Sequence, residues 1–346
     1  MSILEVAKLA GCSHTTVSRV INQKSGVSAE VASRVQAAMR QLSYIPPVKR
    51  RGPRRRTGQA ARTGNVAVLM IGSEATPLTA PASASAIHAV ESALGELGYS
   101  MTLGQVRENN RLPSVVDRGE IDGLILHGNA PKRELADSLR RFPAVWIMSP
   151  RSRSGYWGDR VVTDNAGIGH LAANYLVERD HRHVAFLYLD ASNLGFPARA
   201  EAFAQAADEA GVACDVVSDP DAGQVSSSDF VTMRGLINRL VDRLLALPQR
   251  PTGLFVPRAS ATPMVFESLR GRGVEPGRDI TVVACDTSPL LAGLTPRIAT
   301  IDIRPERIGS LAVEQLMQRI DKPELHARAQ ILVEPLLVEP SLVEVG

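Results

Sequence analysis

The sequence predicts a small all-α module at the amino terminus, followed by a two-lobed α/β body with parallel sheets. Three observations predict it. Residues 1–62 carry twelve lysines and arginines against Glu5 and Glu30, a net +10, while the remaining residues hold 27 cations and 34 anions, a net −7. The first 45 residues contain three short amphipathic stretches, two of them directly behind a capping serine and the first opened by a Ser–Glu pair. From Gly64 onward, short aliphatic runs alternate with helical stretches. A composition of 44% hydrophobic but only 4% aromatic residues gives the aliphatic interior that helices packed on sheets need.

In "SILEVAKLAG", Ser2 stands three residues before Glu5, the reciprocal pair that satisfies a helix's free amides, so a first helix is expected from Ile3 to Gly11. Ser13 then caps a second, with Val17, Val20 and Ile21 as its apolar stripe and His14, Thr15, Ser18, Arg19 and Asn22 opposite. Ser28 announces a third, with Val31, Val35, Met39 and Leu42 on one face, ending near Tyr44 before "IPP". Three short helices with one tight turn make a helix-turn-helix domain, residues 1–46. In that motif the second helix enters the major groove of DNA, so His14, Thr15 and Arg19 are expected to meet base edges. Ser13, Thr16, Ser18 and Asn22 complete the expected DNA face. On an isolated helix these residues would be an ordinary solvated face, and the motif decides against that.

The stretch "EVAKLAGCSHTTVSRVIN…VSAEVASRVQAAMRQLSYIP" resembles the DNA-binding domain of the LacI/GalR (lactose-repressor) family of bacterial transcription regulators. The likeness covers residues 2–46, with the family's Ala-Gly-x-Ser turn at Ala10 to Ser13 and its Thr-Val-Ser-Arg-Val at Thr16 to Val20. It implies the same reading residues, His14, Thr15 and Arg19.

In the body, "NVAVLMIG", "YSMTLGQV", "GLILHG", "AVWIMS", "VAFLYLD", "GLFVP" and "ITVVACD" read as buried strands, and helices are expected at 83–97, 131–141, 166–179, 197–211, 230–247 and 260–272. "IATIDI", a helix at 304–320 and "ILVEPLLVEP" return the chain across both lobes. The expected division is a basic hinge at 47–63 and an effector-binding and dimerisation domain at 64–346. Its first lobe is expected at about 64–163 plus 298–325, its second at about 164–297 plus 326–346. Ligands in such sheets sit beyond the carboxyl ends of the strands, which points to Gly72 and Ser73, His127, Asp164 and Asn165, Asp190, Pro257 and Arg258, and Asp286.

"VVTDNAGIGHLAANYLVERDHRHVAF", "DITVVACD" and "PRIATIDIRPERIGSLAVEQLMQRI" resemble the same family's effector-binding core, which is periplasmic-binding-protein-like. The resemblance implies Asp164, Arg199 and Asp286 as effector contacts. Carboxylates accept from sugar hydroxyls and a guanidinium donates to hydroxyl, carboxylate or phosphate. Plainer readings stay open: Asp164-Asn165 as a helix cap, Asp286 in a turn, His127 as a satisfied loop histidine. Trp146 is expected in the core, and Trp157 is a candidate for stacking on a ligand. The chain also departs from the family, with Arg258-Ala259 where an Asn-Asp pair is usual and "APAS" at 80–83 in place of an aromatic stretch. An added arginine suits an acidic sugar, a sugar phosphate or another hydrophilic anion.

The segment "PPVKRRGPRRRTG" occupies the place of the family's hinge helix, whose leucine wedges into the minor groove. Here Gly52-Pro53 stands at that position, and in a helix interior these two residues cost about 1 and about 3 kcal/mol relative to alanine. Three readings are open: a loose basic linker, an extended arm placing Lys49, Arg50, Arg51, Arg54 and Arg55 in the minor groove, or a rebuilt helix.

Cys12, Cys214 and Cys285 follow neither a disulfide nor a metal pattern, and no cofactor is expected. No run approaches the roughly 18 apolar residues of a membrane span, so a cytoplasmic protein is expected. There is no nucleophile elbow, phosphate-cradling loop or paired-carboxylate motif. The expected protein is therefore not an enzyme but a regulator, most simply a repressor. Its expected partners are a palindromic operator, a second copy of itself and a small-molecule effector that is a sugar or sugar derivative. A body serving only as a dimerisation scaffold is the alternative, and an enzyme built on the α/β domain a remote one.

Overall fold

The computed structural model describes residues 3–21, 26–42, 44, 62–72, 81–106, 111–149, 156–189, 195–220, 229–324 and 327–340. The chain forms two compact units, residues 1–51 and 52–346.

In the first unit, α1 (Ile3–Ala10), α2 (His14–Ile21) and α3 (Ala29–Gln41) close around Val6, Ala7, Ala10, Val17, Val35 and Ala38. The local signals do what their chemistry requires. Gly11 takes φ +61°, a left-handed conformation that costs glycine nothing, and turns the chain out of α1. Ser13 Oγ accepts from the Thr16 amide at 3.1 Å and Ser28 Oγ from the Val31 amide at 3.4 Å, so both serines cap the helices that follow them.

The second unit holds two six-stranded sheets. The first lobe is built from β1 (Asn65–Ile71), α4 (Pro81–Glu96), β2 (Ser100–Val106), α5 (Ser114–Asp117), β3 (Gly123–Gly128), α6 (Arg133–Leu139), β4 (Ala144–Ile147) and β5 (Asp159–Thr163). The second lobe adds α7 (Asn165–Val177), β6 (His183–Tyr188), α8 (Gly195–Glu209), β7 (Ala213–Ser218), α9 (Phe230–Leu245), β8 (Gly253–Val256), α10 (Thr262–Arg270) and β9 (Thr281–Cys285). The chain then continues through β10 (Ala299–Asp302), α11 (Pro305–Asp321), β11 (Gln330–Val333) and β12 (Leu336–Val338). Sheet order is β11-β5-β4-β3-β1-β2 in the first lobe and β12-β10-β9-β8-β6-β7 in the second. Pairing is parallel throughout except for β12, which runs antiparallel to β10 at the edge. Strands read as continuous apolar runs because helices cover both faces: Val66 and Val68 pack toward α4 and α11, Ala67 and Leu69 toward α5 and α6.

The closing segments correct the expected lobe division. Residues 299–302 were expected in the first lobe, yet β10 pairs with β9 in the second, Ala299 beside Val283 and Ile301 beside Cys285. Conversely β11, expected in the second lobe, pairs with β5 in the first, Ile331 beside Val161. Either sheet could accept an aliphatic strand of this length, and register against the neighbouring strand decides. The chain therefore crosses between lobes at three places: after β5, between β10 and α11, and between β11 and β12.

Asp159 pins the last crossings. Its side chain is fully buried and accepts from Arg319 Nε and Nη2 at 2.5 and 2.6 Å, Gln315 Nε2 at 2.7 Å and the Ala329 amide at 2.8 Å. Burial by itself would push this carboxyl up, but Arg319, the Ala329 amide and Gln315 together hold it below the usual carboxylate range. Arg62 opens the body with an ion pair to Asp321 at the end of α11 and a 3.3 Å hydrogen bond to the Tyr99 hydroxyl. Asp122 accepts from the Thr63 and Gly64 amides at 2.7 and 2.9 Å.

Arg319→Ala leaves Asp159 buried without its cation and is expected to cost about 3–5 kcal/mol in urea unfolding at pH 7. Because the folded carboxyl titrates below its ordinary value of about 3.9, its contribution is complete above that pH and is lost as pH falls through the folded value. The gap between wild type and variant should therefore shrink below about pH 4.

Candidate functional site

On the first unit the predicted DNA face is α2. Its start is fixed by Ser13, whose Oγ also lies 2.9 Å from Thr16 Oγ1, so this pair orders the first turn. Val17 is buried against α1 and α3, which turns the opposite side outward. Ser13, His14, Thr15 and Arg19 are exposed, while Thr16 and Ser18 are half-buried. Asn22, Lys49, Arg50, Arg51, Arg54 and Arg55 lie outside the described residues. An exposed Arg19 can give a bidentate pair to guanine O6 and N7, and Thr15 offers both a methyl and a hydroxyl.

On the body, three of the six predicted effector residues come together beyond the carboxyl ends of β8, β9 and β10. Arg199, in the first turns of α8, donates from Nε to Asn165 Oδ1 at 2.8 Å and from Nη1 to the Pro257 carbonyl at 2.9 Å. The same Nη1 lies 3.5 Å from Cys285 Sγ. Arg258 follows β8, and its guanidinium carbon is 5.4 Å from the Phe196 ring centroid, with that of Arg199 at 5.6 Å from the same ring. Asp286 follows β9, and its Oδ1 accepts from Cys285 Sγ at 3.2 Å. Burial pushes the Asp286 carboxyl up, and the positive charges of Arg199 and Arg258 only partly oppose this. Burial also pushes the Cys285 thiol well up, so Sγ serves as a neutral bridge between arginine and carboxylate.

The other predicted residues sit differently. Asp164 Oδ1 accepts from the Gly167 amide at 3.0 Å, so its carboxylate caps α7 and its neighbour Asn165 reaches the arginine. His127, at the end of β3 in the first lobe, lies 3.1 Å from the Ile147 carbonyl through Nδ1 and 3.3 Å from Ser83 Oγ through Nε2. A carbonyl only accepts, so Nδ1 carries the proton and Nε2 accepts from the serine. Ser73 and Asp190 lie outside the described residues. Trp157 is buried edge-on against Trp146, with ring centroids 5.5 Å apart, so it is core rather than a stacking surface; its neighbours in "SGYWGD" are mostly polar, which hid that.

Phe196 and Cys285 belong to the cluster without having been singled out as site residues, and Asn165 joins it from its place beyond a strand end. Phe196 carried a weak signal, three residues before Arg199 on one helix face, and Cys285 adjoins Asp286. The place of Asn165 beyond β5 was legible, but its contact with Arg199 depends on how closely α7 and α8 approach. That approach is set by Gly169: a Cβ there would fall 2.3 Å from the Arg199 carbonyl oxygen and 2.8 Å from the Phe203 nitrogen. No group of three or more His, Cys, Asp or Glu side chains among the described residues is placed to hold a metal. Among them, no helix is long and apolar enough to cross a membrane.

Comparison with known proteins gives two family matches, "Bacterial regulatory proteins, lacI family" over residues 2–47 and "Periplasmic binding protein-like domain" over residues 173–339. The chain is 28% identical to the ribose operon repressor of Escherichia coli (strain K12), covering 97% of each protein. It is 29% identical to the transcriptional repressor PurR of Erwinia tasmaniensis, over 100% of this chain and 97% of that one. Its fold matches the lac repressor dimer bound to operator and the anti-inducer ONPF, with a TM-score of 0.67, 21% identity and 98% of each chain covered.

Gly169→Ala is expected to force α7 and α8 apart and to cost about 1–3 kcal/mol in denaturant unfolding. Asp286→Asn should act in the other direction. A carboxyl whose folded value is raised penalises the fold once pH exceeds its unfolded value near 3.9, in full above the folded value. The asparagine variant should therefore unfold at a higher urea midpoint than wild type at pH 7, and this advantage should vanish toward pH 4.

Proposed function

We propose, for a chain whose residues 2–47 belong to the lacI family of bacterial regulators and whose body is periplasmic-binding-protein-like, that it is a transcriptional repressor whose operator affinity is set by a small molecule bound in the body. The observation that carries this reading is α2, with a serine-capped start, Val17 buried behind it and His14, Thr15 and Arg19 exposed in front. Its relatives are named as repressors, one of a ribose operon.

One such domain reads only a few base pairs, so a homodimer on a palindrome is the economical assembly. The effector contacts are Arg199, Arg258 and Asp286, with Asn165 and Cys285 orienting the arginine and the carboxylate. Coupling follows the chain. β10 ends at Asp302, whose charge acts on Asp286, and α11 runs from there along the first lobe to Asp321, which holds Arg62 where the linker enters the body. An effector that alters the spacing of the lobes alters the root of the DNA domain, and a coupling of about 1–3 kcal/mol changes operator affinity about 5- to 150-fold. The basic stretch 47–58 is an atypical hinge in this reading, touching DNA through its arginines, because Gly52-Pro53 disfavours a regular helix.

Selection of bound sequences from a random DNA library with the full-length chain should yield a palindrome. Arg19→Ala should weaken binding and relax one base position per half-site by about 1–3 kcal/mol, read by fluorescence anisotropy. Uniform weakening at every sequence, with the salt slope reduced by about one, would instead make Arg19 a phosphate contact.

A further inference from the structure

We propose that the effector carries an acid group, carboxylate or phosphate, received by Arg199 and Arg258. This deepens the reading of the body as an effector-binding domain and rests on it. The hydrogen-bond acceptors around Arg199 are the Asn165 side-chain oxygen, the Pro257 carbonyl and the Cys285 thiol, all neutral at pH 7. Those contacts use Nε and Nη1, and Nη2 makes no hydrogen bond to any described residue. One edge of a half-buried guanidinium is thus oriented on three fixed points with its remaining donors turned to whatever enters. Arg258 adds a second guanidinium on the same phenyl ring.

The carboxylate in the cluster does not neutralise this. Asp286 bonds to Cys285 Sγ and forms no ion pair within 4 Å among the described residues, although both arginines act on it at longer range. A neutral sugar can accept from Arg199 and donate to Asp286, but it leaves the arginine charge desolvated against neutral atoms. A planar carboxylate or a phosphate meets the guanidinium with charge-assisted bonds, which are shorter and about twice as strong as neutral ones. The geometry therefore favours a polyol with one acidic end, its hydroxyls toward Asp286 and its anion toward the two arginines.

The test measures thermal shift and calorimetric Kd of the full-length protein at pH 7.5 and constant ionic strength. The probes are D-ribose, D-ribose 5-phosphate, D-gluconate, inorganic phosphate and a chloride control. At least one anion should stabilise the protein beyond chloride and bind at least 10-fold more tightly than D-ribose, and the two acid classes are distinguished by which does so. Arg258→Gln should weaken that anion at least 10-fold, and Arg258→Lys, which keeps the charge, should recover most of the loss even if glutamine disturbs packing. D-ribose binding as tightly as its phosphate, no anion exceeding chloride, or an anion indifferent to both Arg258 variants would each overturn the proposal. Operator binding by the ligand-free wild type is measured in parallel. Its loss would sink the regulator reading, whereas its presence without anion binding sinks only this inference.

Discussion

The close approach of α7 and α8 at Gly169 is the constraint on which the candidate effector site depends. With no side chain there, the backbone of α8 comes against α7 along the stretch that carries Arg199 and Phe203. Asn165 lies one turn earlier on the same face of α7, so the approach that Gly169 permits also brings its amide oxygen to Arg199. From that anchored arginine the rest follows: Nη1 lands on the Pro257 carbonyl and beside Cys285, and Cys285 holds Asp286. A side chain of any size at residue 169 would move a guanidinium 30 residues away.

The first lobe repeats the device with different consequences. Gly309 on α11 would place a Cβ 2.3 Å from the Ala86 carbonyl, so α11 and α4 are also in backbone contact. Here the helix held close joins the two ends of the lobe. It leaves the second lobe's sheet at β10, is locked near its far end by Asp159 through Arg319 and Gln315, and finishes at the Arg62 ion pair. The same cluster that satisfies Asp159 also receives the Ala329 amide, just before the chain re-enters the sheet at β11.

The two units divide the physics. The amino-terminal unit has a small core of valines and alanines and depends on caps and a glycine turn, and α2 leaves His14, Thr15 and Arg19 exposed. The body has cores on both faces of each sheet and can hold an unusual electrostatic arrangement: a carboxyl pushed up by burial near Arg199, whose hydrogen-bond acceptors among the described residues are neutral.

The amino-terminal domain was legible because its signals are local. Ser13, Gly11 and Ser28 act on residues three or four positions away, and the period of Val17, Val20 and Ile21 needs no partner to be recognised. The strands of the body were legible for a related reason, since burial on both faces leaves unbroken apolar runs such as "NVAVLMI". Arg199, Arg258 and Asp286 stood out from resemblance and from their places beside strand ends. Tertiary structure alone decided that β10 joins the second sheet and β11 the first, that Asn165 rather than Asp164 reaches Arg199, that Trp157 is interior, and that Asp159 meets Arg319 across 160 residues. Each of those outcomes is a pairing between distant segments, fixed by register and by the distance at which two backbones can pack, and neither quantity is written in the identity of a single residue.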